Sequence, residues 1–415
     1  MTEIQISVHE AGKFPETATP ASADKFTPPE YTMKQIYDAI PPHCFRPNTL
    51  LSLGYVLRDF AIALTLVLAA THIPSIPLPY LRHVAWFTYA FLQGLVFTGL
   101  WELAHECGHG ALSKSKAFNN TVGLIIHSLL LVPYHSWRFT HSQHHKSTNN
   151  LDKDIAFVPT LKEDFDAERE THSKVWELVE DTPIVALVTL FFHQLIAFPI
   201  YLTINNFALE RMAAAPWWKR SHFYLGGDGP NFRPENTKDV LISDVGITLA
   251  ATGLWFAVRW FGALNVMLFY GFPYLWTNHW IRMPFFPSLL KRMLIDIVVT
   301  ITFLQHTDVS IPYYPTKTWS FLRGAASTVD RDFGFIGRHI FHGAIETHVL
   351  HHHSSRIPFY YAAEASDAIK GVMGTHYQSD MKTPYLWAFW KNYTQCKFVV
   401  ETEKSSNIYF FSKNE

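Results

Sequence analysis

The chain has little of what organises a secreted or soluble protein. Its 415 residues include only three cysteines, Cys44, Cys107 and Cys396, far apart and without a CxxC pair. That excludes a disulfide framework and a cysteine-built zinc site as organising features. Charge is also sparse: Asp, Glu, Lys and Arg make up 17% of the residues, against about a quarter in soluble chains. Lys+Arg 34 and Asp+Glu 35 leave a net charge of −1, so no global basic field points to a nucleic-acid partner. Nothing resembles a flavin, nicotinamide or haem site, and there is no internal repeat or low-complexity tract. The N-terminus lacks a basic stretch followed by an apolar core, so no cleavable signal peptide is expected.

What the chain has instead is apolar surface and histidine. Hydrophobic residues make up 48%, aromatics 15%, and there are 23 histidines. Long apolar runs at Leu50–Thr71 and Val84–Leu103, joined by a short turn containing Pro74, Pro77 and Pro79, predict a transmembrane hairpin. Arg58 and Asp59 lie near enough to the start of the first run to snorkel or pair. Val240–Val258 and Gly262–Trp280, separated by Arg259-Trp260-Phe261, predict a second hairpin. Ile184–Ile204 is either a span or a surface-embedded helix, and Asn120–Pro133 is too short to cross. The expected fold is an all-α polytopic membrane protein with about four transmembrane helices, or six, and a cytosolic helical cap.

Lys114, Lys116, Arg138, Lys146 and Lys153 follow the second run, whereas the preceding loop carries only Arg82. The positive-inside rule then puts residues from His105 to about Glu180, and both termini, in the cytosol. Residues 1–48 read as a partly disordered tail with a short helix near Met33–Ala39, residues 49–395 as the membrane-bound body, and 396–415 as a C-terminal tail. Asn119 and Asn392 fit the glycosylation sequon but fall on the cytosolic side, so neither is expected to be used.

The histidines cluster at chemically telling spacings. His105-Glu106-Cys-Gly-His109 places two imidazoles at i and i+4 on one helix face. His141-Ser-Gln-His144-His145 and His348-Val-Leu-His351-His352 each place three at i, i+3 and i+4, and His353 follows the latter. Isolated His43, His72, His172, His222 and His376 read as ordinary surface or core residues. Eight clustered imidazoles overfill a four-ligand zinc site and suit two metals of higher coordination number. Ligand type alone leaves zinc, copper, iron and nickel open. The first box also fits the HExxH zinc-protease pattern, with Glu106 as general base, but such an enzyme would not need the other two boxes.

HECGH, HSQHH and HVLHH, with Tyr134-His-Ser-Trp137 before the second box, resemble the membrane-bound fatty acyl desaturases. Arg323-Gly-Ala, Thr328-Val-Asp-Arg-Asp-Phe-Gly334 and Glu364-Ala-Ser-Asp-Ala-Ile-Lys370 narrow the resemblance to the Δ12/ω3 branch of fungi and plants, over about residues 45–395. The resemblance implies two irons held by His105, His109, His141, His144, His145, His348, His351 and His352, and it adds His306 from Gln305-His306-Thr307. It leaves Glu106, Gln305, Asp332, His342 and Glu346 as supporting candidates. It further implies O2-dependent formation of a Δ12 double bond in acyl lipids (oleoyl to linoleoyl) at the endoplasmic reticulum. Electrons would come from cytochrome b5 and its NADH-dependent reductase. An ω3 (Δ15) desaturase, a hydroxylase, acetylenase or conjugase, and, if residues 282–298 are truly present, an inactive desaturase-like metal-binding membrane protein stay open as alternatives.

One stretch departs from the resemblance. Asn278 and Gln305 stand 27 apart, where relatives place the corresponding residues about ten apart within one helix. The extra stretch, 282–298, contains Pro284, Pro287, Lys291, Arg292 and Asp296, which cannot lengthen a span. It reads as a real insertion or as a retained intron whose removal would leave one leucine between Ile281 and Thr300. If the stretch does not belong, the chain as written is expected to misplace His306 by several turns.

Overall fold

The computed structural model describes residues 26–170, 182, 184, 198–204, 214–281, 300–403 and 406–412. Ile184–Ile204 lies mostly outside these residues, and 282–299 lies wholly outside them.

Helix α1, Met33–Ala39, occupies the stretch where a short helix is predicted. Thr32 caps it: its hydroxyl accepts from the Gln35 N–H while Gln35 reaches back to the Thr32 N–H. A 3-10 turn, Pro42–Phe45, follows, and Asn48 then caps α2, Thr49–Ala70. A short turn leads into α3, Pro79–His109, with 31 residues. At 1.5 Å per residue α3 is about 46 Å long, against about 30 Å of hydrocarbon. Its C-terminal turns carry His105 and His109. Gly110, at φ 75°, ends the helix in the left-handed conformation that glycine tolerates.

Helices α4 (Lys116–Leu129) and α5 (Tyr134–His145) meet at a bend of 106°. Helices α6 (Lys162–Arg169) and α7 (Trp217–Arg220) precede α8, Thr237–Phe261. The chain reverses at Gly262 into α9 (Ala263–Val266), a π-helical turn (Met267–Gly271) and α10 (Phe272–Ile281), as the second predicted hairpin requires. Among the described residues, three helices are long and apolar enough to cross a membrane: α2 with its following turn, α3, and α8 with its preceding one. The α4–α5 pair makes a fourth if it is one broken span.

Helix α3 is the central one. Over half of its apolar window is buried, against 22% for α2 and 11% for α8. It packs on α2, α4 and α10. At Gly94 a Cβ would fall 2.4 Å from the Trp276 Cβ, so glycine is what lets α10 approach. Helix α11 (Thr300–His306) packs back against α10.

The cap contains α12 (Phe321–Ala326), α13 (His348–His353), α14 (Phe359–Met373) and α15 (Tyr385–Gln395). Strands β1 (Val329–Arg331) and β2 (Gln378–Asp380) pair in parallel, and β3 (Val399–Glu401) with β4 (Tyr409–Phe411) in antiparallel. Tyr409 also pairs with Tyr313, so the C-terminal hairpin is docked on the cap. Ile36, Ile40 and Cys44 share a core with Val349, Leu350 and Ile369, which fastens the N-terminal segment behind the third box. Both sequon asparagines are buried and donate to backbone carbonyls, Asn119 to Ser113 and Asn392 to Thr307.

Candidate metal centre

The last turn of α3 presents His105 and His109, α5 presents His141, His144 and His145, and α13 presents His348, His351 and His352. His306 ends α11. The structure draws these nine side chains into two adjoining groups. In the first, the Nε2 atoms of His105, His109 and His141 form a triangle with sides of 2.9, 3.0 and 3.0 Å. His145 Nε2 lies 3.0 Å from His141 Nε2, and His351 completes the group. The second contains His144, His306 and His352. There His306 Nε2 sits 3.3 Å from His144 Nε2 and 2.9 Å from His348 Nε2. The rings of His145 and His352 stack at 4.2 Å, one from each group.

Three mutually close nitrogens cannot all hydrogen-bond one another, because each Nε2 has at most one proton and the angles in a triangle are poor. Two imidazole nitrogens about 2.1 Å from one ion, at a right angle, would be about 3.0 Å apart. The spacing suits convergence on a metal. The far side of several rings gives the same answer. His144 Nδ1 lies 2.9 Å from Asp154 Oδ1, and His105 Nδ1 lies 3.3 Å from Glu102 and 3.5 Å from Glu106. His351 Nδ1 is 3.7 Å from Glu106, and His352 Nδ1 is 3.1 Å from the Thr148 hydroxyl. The Asp154 carboxylate behind His144 Nδ1 holds the proton there and leaves the Nε2 lone pair facing the centre, while Glu102 and Glu106 put negative charge near His105 and His351.

Burial pushes the imidazoles of His348, His351 and His352 well below their ordinary pKa, so they stay neutral at physiological pH, as ligation requires. Aromatic planes pack the rings in place. Trp137 stacks on His141 at 4.5 Å, Trp101 on His105 at 5.9 Å and Phe157 on His306 at 4.4 Å.

The supporting candidates divide. Glu106 stands behind His105 and His351, on the side away from the converging nitrogens, which is not where the general base of an HExxH protease would act. Gln305 is fully buried beside Tyr385. Asp332 pairs with Arg338 at 2.9 Å. Glu346, pushed up to about 7 by burial, accepts the Phe333 N–H. None of these three has a described contact with the nine imidazoles. His342 is tied to Asp59 of α2 at 2.8 Å, so Asp59 pairs across to the cap as well as with neighbouring Arg58.

Sequence reasoning missed Asp154, Glu102, Trp101 and Thr148. Glu102 could have been found from its place one helical turn before His105. Asp154 lies in an irregular loop and has no such signal. His306, at the end of α11, lies among the converging imidazoles. Helix α11 contacts α10.

A cavity runs beside the histidines, lined by Trp101, Phe157, Thr302, Phe341, Leu350 and Ile357 among others. A second cavity of about 410 Å³, with charged side chains of both signs in its lining, shares His342, Thr347 and Phe359 with it.

A helical body with apolar helices of membrane-spanning length, carrying nine converging imidazoles under a helical cap, defines a membrane protein whose histidine clusters are able to bind metal. The fatty acid desaturase family profile matches residues 83–384. The chain is 40% identical to a Delta(12) fatty acid desaturase of Mortierella alpina, over 100% of this chain and 98% of that protein. It is 40% identical to the corresponding Mortierella isabellina protein, over 96% and 95%, and 42% identical to an oleate hydroxylase of Claviceps purpurea, over 90% and 78%. The protein belongs to the fatty acid desaturase family.

Proposed function

We propose that the protein is an O2-dependent acyl-lipid desaturase that introduces a Δ12 double bond, converting oleoyl to linoleoyl chains. The observation that carries this reading is the convergence of nine imidazoles from four helices into two adjoining groups. The similarity to two Delta(12) desaturases supports the position of the double bond. An unactivated C–H bond offers no acidic proton, so side chains alone cannot begin the reaction and a cofactor must supply it. Two iron ions, held by His105, His109, His141, His145 and His351 and by His144, His306, His348 and His352, would supply the O2 chemistry. Per double bond, two substrate hydrogens, O2, two electrons and two protons become two waters.

The chain's own residues position and exclude. Asp154 fixes the tautomer of His144. Trp101, Trp137 and Phe157 hold the rings and keep water from the centre. The cavity next door carries Arg58, Arg338 and Lys370 together with Asp330, Glu346 and Asp367. Charges of both signs suit a phospholipid head group at the end of the acyl chain. Cytochrome b5 and its reductase at the endoplasmic reticulum are the proposed electron source, with both termini and all boxes cytosolic.

The hydroxylase relative favours a second reading, hydroxylation of the same oleoyl chain. Expression in a yeast that makes no linoleate decides between them. Gas chromatography of the lipids should show linoleate; hydroxy-oleate in its place would establish the second reading.

A further inference from the structure

We propose that His43, Cys44 and Glu364 form a zinc site, separate from the histidine boxes, that clamps the N-terminal segment to α14. His43 Nε2 lies 2.9 Å from Glu364 Oε2 and 3.7 Å from Cys44 Sγ, and all three donor atoms fall within 4.8 Å of one another. Around one tetrahedral zinc, with Zn–S about 2.3 Å and Zn–N and Zn–O about 2.0–2.2 Å, neighbouring donors are about 3.3–3.6 Å apart. The three donors, all within 4.8 Å of one another, lie close enough for one small ion to bring them to these spacings. Thiolate, imidazole and carboxylate together form a donor set that zinc accepts.

Local contacts position the 3-10 turn and the His43 ring. Pro42 opens the 3-10 turn, and the Cys44 N–H donates to the Pro41 carbonyl. The edge of the His43 ring meets Tyr361 at 5.3 Å. Cys44 is wholly buried, whereas the His43 and Glu364 side chains are about half exposed, which leaves a solvent-side position for water as fourth ligand. An exposed His–carboxylate pair alone contributes little to stability. A metal joining residues 43 and 364 would close a loop of more than three hundred residues.

The clamp sits where it can act on the centre without touching it. Cys44 packs with Ile36 and Ile40 against Val349 and Leu350, on the reverse side of the helix that presents the third box. Tyr31, from the same N-terminal segment, hydrogen-bonds His353 at 3.2 Å. On binding, zinc displaces the Cys44 thiol proton to solvent.

The test counts metals in the purified full-length protein after dialysis against zinc and, separately, follows titration with cobalt(II) alone. The wild type should hold one zinc that Cys44→Ala and Glu364→Gln both lose, while the metal content of the histidine boxes stays the same in all three. Cobalt should give a thiolate charge-transfer band in the wild type and none in Cys44→Ala. Equal zinc in the wild type and Glu364→Gln, with no cobalt band, overturns the proposal. Glu364 is exposed, so its variant serves even if Cys44→Ala folds poorly. Loss of the box metals alone would count against the desaturase reading and leave this site standing.

Discussion

Asp154 reaches back ten residues to hold His144. Its Oδ1 lies 2.9 Å from His144 Nδ1 and also accepts the Ala156 N–H, while Oδ2 accepts the Asn149 N–H. The carboxylate is completely buried and fixed from both sides, so it orients the imidazole instead of following it. Asp154→Asn keeps the shape but weakens the hold on the Nδ1 proton. Partners of this kind change metal affinity by about 10–100-fold. The second metal should be lost first, at normal protein levels in membranes, as measured by metal content after mild chelation.

Replacing any of the nine converging histidines by Ala should abolish the desaturated product without removing the protein from membranes. His353 stands in the same run of sequence but points elsewhere: its Nδ1 donates to the Val349 carbonyl and its Nε2 meets Tyr31. His353→Ala should retain substantial activity and lose about 1–2 kcal/mol of stability from the broken hydrogen bonds. Immunoblots, product analysis and thermal unfolding of the same variants read these effects. Full activity in two or more of the nine would refute the ligand set.

The metal-free protein should be acid-sensitive. His348, His351 and His352 have folded-state pKa values well below 6.5, the ordinary imidazole value. Between those values the unfolded chain binds more protons than the folded one, so stability rises with pH. It should be fully present above about 6.5 and fall progressively as the pH drops below that. Melting temperatures of chelator-treated protein in detergent at pH 7.5, 6.5 and 5.5 check the direction; a flat profile would contradict the buried, neutral state of these rings.

Residues 282–299 should be dispensable. Because α10 and α11 pack together with His306 in place, a variant in which one leucine replaces 282–299 should keep its box metals and produce at least as much desaturated lipid. Sequencing the transcript separates the two origins: mature message carrying the codons for Pro284–Asp296 makes the stretch a genuine insertion. Loss of metal in the shortened form would show that the stretch supports the site.

Much of this protein follows from local sequence. Apolar runs of span length make helices because a bilayer leaves no other partner for backbone groups. The i, i+3, i+4 spacings put box histidines on one helix face by geometry alone. What spacing could not assign was the partner of each ring. Division of the nine into two groups, with His144 and His145 of one helix turned to different groups, depends on how α3, α5, α11 and α13 cross. Asp154 behind His144, Asp59 against His342 across 283 positions, and Cys44 beside Glu364 are likewise products of packing. Side chains so far apart in the chain meet only when burial brings their helices together, and burial is a property of the whole fold.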